Sequence, residues 1–87
     1  MHLKYYFELV ELGDEIVAVP VGNDAHECGG IITLNEVSAY IFELLKEDIT
    51  EEAIVRAIRM KYSAPESVVL KDVKRIIKNI NDDGLLC

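Results

Sequence analysis

The sequence predicts an α+β fold in which a three-stranded antiparallel sheet is followed by three helices, with residues 1–87 as a single domain. From Leu3 to Leu9, apolar residues alternate with polar ones, which is typical of a half-buried strand, and short apolar runs bounded by turn residues follow. From residue 35 onward apolar residues recur every three or four positions, which is typical of helices. Because the strands precede the helices instead of alternating with them, we expect the helices to pack on one side of the sheet.

Turn residues delimit three predicted strands. The first alternates from Leu3 to Leu9, and Gly13-Asp14 then supplies a hairpin turn. The second runs from Ile16 to Val21, and its Pro20 belongs at a strand end or an open edge because proline cannot donate a ladder hydrogen bond. After a polar loop, the third strand is predicted over Gly30 to Leu34.

Capping residues delimit the three predicted helices. Asn35 and Thr50 are good N-caps for the first two helices. Pro65 ends the second helix and suits the first turn of the third, which Gly84 ends. The third helix is expected to present one apolar stripe, formed by Val69, Val73, Ile76, Ile77 and Ile80.

Charge and composition exclude several classes of function. The net charge is −7, with twelve acids and two bases before residue 56 against four acids and seven bases after it. This balance disfavours a dedicated nucleic-acid binder, which needs a basic surface. No signal peptide and no apolar stretch of about 20 residues is present, so no membrane partner is expected. The two cysteines are interpreted as free thiols of a cytoplasmic protein.

Catalysis is not expected of this chain. His26 and Cys28 stand two residues apart on a loop, where a metal site or a nucleophile pair is conceivable. A zinc site needs more ligands, and this spacing does not establish a catalytic geometry. A solvated loop with an incidental thiol is therefore the interpretation we prefer, with no metal, no cofactor and no enzymatic activity.

Two features favour binding instead. The third helix carries bases at Lys71, Lys74, Arg75 and Lys78, which form a solvated face, a DNA recognition helix, or a basic rim suited to an acidic peptide. The third strand has no lysine or proline to block its edge, so an extended peptide could add to it as a further strand. Alternatively, the loop over residues 22–29 or a second copy covers that edge.

The segment from Ile32 to Leu45, which reads Ile-Thr-Leu-Asn-Glu-Val-Ser-Ala-Tyr-Ile-Phe-Glu-Leu-Leu, resembles the PqqD-like family. Thr50-Glu51-Glu52, Tyr62, Asp72-Val73 and the ending Asp83 to Leu86 extend the resemblance over almost the whole chain. The resemblance implies a winged helix-turn-helix-like domain. It also implies a RiPP recognition element, a non-catalytic domain that binds the leader of a ribosomally made precursor peptide.

The family resemblance also implies a site and a partner. The leader would pair with the third strand, at Gly30, Ile31, Ile32, Thr33 and Leu34. It would lie against the third helix, at Val69, Lys71, Val73, Lys74, Ile77 and Lys78. The implied partner is a radical S-adenosylmethionine enzyme or another peptide-modifying enzyme, which would carry any iron–sulfur cluster because this chain has only two cysteines. A winged-helix DNA-binding or protein-docking domain remains the alternative, and the oligomeric state stays open.

Overall fold

A computed structural model describes residues 1–22 and 30–87 of the chain. It contains three strands and three helices, in the predicted order: β1 (Phe7–Leu12), β2 (Glu15–Pro20), β3 (Ile32–Leu34), α1 (Glu36–Leu44), α2 (Glu51–Tyr62) and α3 (Glu66–Asp82). The sheet is antiparallel with the order β1-β2-β3, so β3 lies at one edge. The predicted α+β fold class is confirmed. None of the helices in the described residues is long and apolar enough to cross a membrane.

The β1–β2 hairpin turns at the predicted dipeptide. Leu12 pairs with Glu15, which leaves Gly13 and Asp14 as a two-residue loop. Gly13 has a φ of 64°, the positive value that a type II′ turn requires at its first central position. The last pair of the ladder joins Phe7 to Pro20, so β1 begins at Phe7, and the predicted start at Leu3 is wrong because Leu3 bridges to Leu86 instead.

Strand β3 is shorter than the predicted segment from Gly30 to Leu34, and Pro20 supplies the reason. The last β2–β3 pair joins Ala18 to Ile32. In this register the next hydrogen-bonded pair, two residues further on, would bring Pro20 opposite Gly30, and Pro20 has no N–H to donate. Pairing therefore stops there, and Pro20 occupies the strand end that the sequence predicted.

A single apolar core lies between the sheet and the helices. Phe42 of α1 is 2% exposed and contacts Phe7 of β1 edge to face, with 5.4 Å between ring centroids. The buried residues around this pair come from every helix and from the inner side of the sheet: Ala18, Ile41, Leu45, Ile54, Val55, Ile58, Val69, Val73, Ile76, Ile80 and Leu85. The core thereby fixes α3 opposite the sheet.

The segment that follows α3 folds back onto the core, as predicted. Gly84 adopts a φ of 75°, the left-handed conformation of a helix-ending glycine. The Leu85 N–H then donates to the Ile80 carbonyl at 3.1 Å, and the Leu85 side chain is 3% exposed. Leu86 continues into an isolated antiparallel bridge with Leu3. The chain after α3 therefore packs beside the segment that precedes β1.

Asn35 joins β3 to α1, and its replacement by alanine is expected to destabilise the fold by about 1 kcal/mol. The Asn35 side-chain oxygen accepts a hydrogen bond from the Ser38 N–H at 2.8 Å, which satisfies an otherwise unpaired donor of the first turn. Asn35→Asp keeps an acceptor at the cap and should retain most of the stability. Urea unfolding measures both variants. Equal stability of Asn35→Ala and the parent would contradict this role.

Candidate functional site

A hollow of about 170 Å³ lies between β3 and α3, and we call it the β3–α3 cleft. One wall is strand β3, from Ile32 to Leu34. The other wall is the side of α3 that carries Arg75, Ile76, Asn79 and Ile80. Ser38, Phe42, Asp83 and Leu85 complete the lining.

One edge of β3 faces this cleft, and within residues 1–22 and 30–87 no strand pairs with it. The Val21 N–H donates to the Tyr6 carbonyl at 3.0 Å, so alternate β2 residues, Val17 among them, point their backbone groups toward β1. The N–H and C=O groups of the residues between them, including Ala18, then point toward β3, where Ala18 pairs with Ile32. By the same alternation, the N–H and C=O of Thr33 point away from β2. Among the described residues, neither group has a backbone partner.

The floor of the cleft is apolar and its rim is charged. Ile76 and Ile80 are each 6% exposed and pack into the core between the two walls. Arg75 stands at the rim with 61% of its side chain exposed, 3.9 Å from the Asp72 carboxylate. A side chain entering the cleft therefore meets an aliphatic floor, and the mouth carries charges of both signs, Arg75 and Asp83.

A second hollow of about 80 Å³ adjoins the same helix nearer its N-terminus. It is lined by Val37, Val68, Asp72 and other residues of α2 and α3. Val68 and Asp72 precede Arg75 by seven and three residues, so all three lie on one side of α3. Val68 is 53% exposed, which leaves an apolar contact for a peptide that continues past β3 along the helix.

The structure brings only some of the sequence-predicted site residues to these hollows. Ile32, Thr33 and Leu34 line the β3–α3 cleft. Val69 and Val73 line the second hollow from beneath, as core residues only 4% and 0% exposed. Gly30 and Ile31 precede β3 and are exposed.

The predicted lysines lie elsewhere on α3. Lys74 lines a separate groove between α2 and α3, where its ammonium lies 3.5 Å from the Glu51 carboxylate. Ile77 is partly buried against the core, and Lys71 and Lys78 are exposed on the outer side of the helix. Direct contact of these residues with a peptide stays a prediction.

The sequence did not indicate two polar residues that line the β3–α3 cleft on its helix side. Asn79 and Asp83 are exposed and follow Arg75 at intervals of four residues. The apolar stripe of α3 was recognisable from its period, and these residues flank that stripe on one side. Periodicity does not reveal which flank faces the sheet, because that depends on how the core orients the helix.

Two ionisable groups have clearly shifted pKa values, and neither lines the cleft. The Met1 ammonium, 2.7 Å from the Asp48 carboxylate, lowers the pKa of Asp48. Burial raises the pKa of the Tyr62 phenol, and the charge of Glu36 adds to this effect. In the part of the chain that the structure describes, no group of three metal-ligating side chains is found. His26 and Cys28 lie outside the described residues.

A strand edge that faces a helix across an apolar cleft is the arrangement used by the class of peptide-binding domains that add their ligand as a strand. A comparison with known protein families identifies one family of this kind. The model of the family described as coenzyme PQQ synthesis protein D (PqqD) matches residues 15–86. The chain belongs to the PqqD family, and the resemblance stated from the sequence is confirmed.

A solved structure supports the same assignment. The chain is similar to TbiB1, solved in complex with the TbiA(beta) leader peptide, with a TM-score of 0.74 and 26% sequence identity. The similarity covers 99% of this chain and 94% of that one. A comparison with curated proteins gives no match.

Proposed function

We propose that this chain binds the leader of a ribosomally made precursor peptide by strand addition and presents it to a peptide-modifying enzyme. The observation that carries the proposal is the β3–α3 cleft, where the outward backbone groups of Thr33 meet an apolar floor. Membership of the PqqD family supports a precursor-peptide chaperone, and so does the likeness to TbiB1, which binds a leader peptide. Neither favours the alternative of a DNA-binding winged helix.

The geometry defines what the leader contributes. As a fourth strand it exchanges backbone hydrogen bonds with Thr33, and its side chains alternate between the two faces of the sheet. Those facing inward lie beside Ile32 and Leu34, above Ile76 and Ile80. The leader therefore needs apolar residues at alternate positions, and an acidic residue near the mouth of the cleft is favoured by Arg75.

The partner we propose is the peptide-modifying enzyme that acts on the bound precursor, of the radical S-adenosylmethionine type that the family resemblance implies. This chain supplies recognition, and the enzyme supplies the cofactor and the chemistry. We place the interaction in the cytoplasm, where precursors are made by the ribosome and free thiols persist.

The test is a titration with the leader peptide encoded by the short reading frame beside this protein's gene. We expect saturable binding of one peptide per chain, no binding of a scrambled peptide, and a gentle dependence on salt. Binding to duplex DNA that falls steeply with salt, without binding to the leader, would overturn the proposal.

Two charge reversals on α3 locate the peptide. Arg75→Glu is expected to weaken binding of an acidic leader about five- to tenfold, because it replaces an attraction at the cleft by a repulsion. Lys74→Glu is the matched control, since Lys74 is equally exposed but lines the groove between α2 and α3. Fluorescence anisotropy with a labelled leader measures both. A larger effect of Lys74→Glu would place the peptide in that other groove.

A further inference from the structure

The helix wall of the β3–α3 cleft carries opposite charges at its two ends. Arg75, Asn79 and Asp83 follow one another along this wall at intervals of four residues, and all three are exposed. Asp83 is the C-cap of α3 and keeps a right-handed helical backbone. At about 1.5 Å of rise per residue, Arg75 and Asp83 are separated by about 12 Å along the helix. One end of the wall is therefore basic, the other is acidic, and an uncharged amide lies between them.

Both charges can meet the charges of a ligand. The Arg75 guanidinium lies 3.9 Å from the Asp72 carboxylate, which is longer than a hydrogen bond, and 61% of the Arg75 side chain is exposed. At the other end, Lys78 pairs with Asp82 at 3.7 Å and not with Asp83. Among the residues that the structure describes, no basic side chain forms an ion pair with Asp83.

The cleft between these two charges is apolar. Ile76 and Ile80 line it from α3 and are each 6% exposed, and Ile32 and Leu34 line it from β3. A charged side chain placed over this floor would lose its hydration without gaining an ionic partner, which is costly. Charged groups of a bound peptide therefore belong at the two ends of the cleft and apolar groups at its middle.

The distance between the two charges matches the repeat of an extended peptide. Alternate residues of a strand share a face, and residues four apart on that face are separated by about 13 Å. This is close to the distance of about 12 Å between Arg75 and Asp83 along α3. The residue midway between them faces the same way and lies above Ile76 and Ile80.

We propose that Arg75 and Asp83 form a charge clamp that selects a leader with one acidic and one basic side chain four residues apart and an apolar residue midway. This inference rests on the proposed function, because it names the leader that the cleft accepts. A leader shifted by two residues would place a charge over the apolar floor, and a leader running in the opposite direction would face like charges at both ends. The clamp therefore sets both the register and the direction of the bound leader.

The test exchanges the charges of the protein and of the peptide. The clamp variant is Arg75→Glu/Asp83→Arg, and a second leader peptide has its own acid and base exchanged. The control variant, Arg59→Glu/Glu66→Arg, makes the same exchange at an exposed ion pair in the groove between α2 and α3. Both variants keep the net charge of the parent, so long-range attraction of the peptide is equal for all three proteins. Fluorescence anisotropy measures the affinity of each protein for each labelled leader, which is the peptide encoded beside this protein's gene or its exchanged form.

We expect the clamp variant to bind the unchanged leader about tenfold or more weakly than the parent does, and the exchanged leader within about threefold of the parental affinity. The parent and the control should both bind the unchanged leader normally and the exchanged leader about tenfold more weakly.

Equal affinity of the parent protein for the two leaders would overturn the clamp, and this result does not depend on the folding of any variant. A loss in the clamp variant that the exchanged leader does not restore would also overturn it, as would tight binding of an encoded leader that lacks an acid and a base four residues apart. Absence of leader binding by the parent protein would instead refute the proposed function.

Discussion

Thr33→Pro is expected to weaken leader binding about 30-fold or more, because it leaves a leader carbonyl without its donor, at a cost of about 1–3 kcal/mol, and places a ring in the path of the added strand. The Thr33 N–H points away from β2, so the β2–β3 hydrogen bonds do not use it. Proline is tolerated in an edge strand at such a position. The fold should therefore survive a change that removes binding.

Thr33→Ala is the matched control for this experiment. It removes the hydroxyl and the methyl group but keeps the N–H, so its leader affinity should stay within about threefold of the parent, which corresponds to less than 1 kcal/mol. Isothermal titration calorimetry gives both affinities, and thermal unfolding confirms that both variants fold. Similar affinities for the proline and alanine variants would rule out backbone pairing at this edge.

Phe42→Ala is expected to destabilise the protein by about 3–5 kcal/mol, the usual cost of deleting a buried aromatic side chain. Phe42 is 2% exposed, contacts Phe7 and lines the β3–α3 cleft from below. At about 0.05–0.15 kcal/mol per residue, a domain of this size has only about 4–13 kcal/mol of total stability. The variant should therefore be partly unfolded near 37 °C and should lose leader binding with its fold.

Met60→Ala supplies the control, since Met60 is 80% exposed. Its stability should change by no more than about 0.5 kcal/mol. Urea unfolding followed by circular dichroism measures both proteins. Equal losses at the two positions would contradict the placement of Phe42 at the centre of the core.

Local chemistry was enough to predict most of the fold. Asn35 and Thr50 cap their helices as expected, and each side chain accepts a hydrogen bond from the N–H three residues ahead. Gly13 and Gly84 adopt the positive φ values that their turns require. These features depend on a few neighbouring residues, so the sequence specifies them directly.

Long-range pairing limited the prediction of strand bounds. The alternation of apolar and polar residues that begins at Leu3 is typical of a strand. However, pairing with β2 begins only at Phe7, four residues later, and Leu3 pairs with Leu86 instead. Similarly, β3 begins only at Ile32, because the next hydrogen-bonded pair of this register would need an N–H from Pro20. Both outcomes depend on a partner strand and not on the segment itself.

The candidate site was predicted in part for the same reason. The open edge of β3 is a local property, and Ile32, Thr33 and Leu34 do line the cleft. The orientation of α3 is a global property, so Arg75 and Asn79 face β3 while Lys74 faces α2. A basic stripe identified from spacing alone cannot distinguish these two sides of one helix.

The central claim is that the leader adds as a strand beside β3, and amide hydrogen exchange on the labelled protein tests it most directly. In the free protein, the Thr33 amide should exchange rapidly while the Ile32 amide is protected by β2. On addition of the leader peptide, the account predicts protection of Thr33, with chemical-shift changes at Arg75, Asn79 and Asp83. Unchanged exchange at Thr33, with shifts concentrated at Arg56 and Lys74, would contradict it.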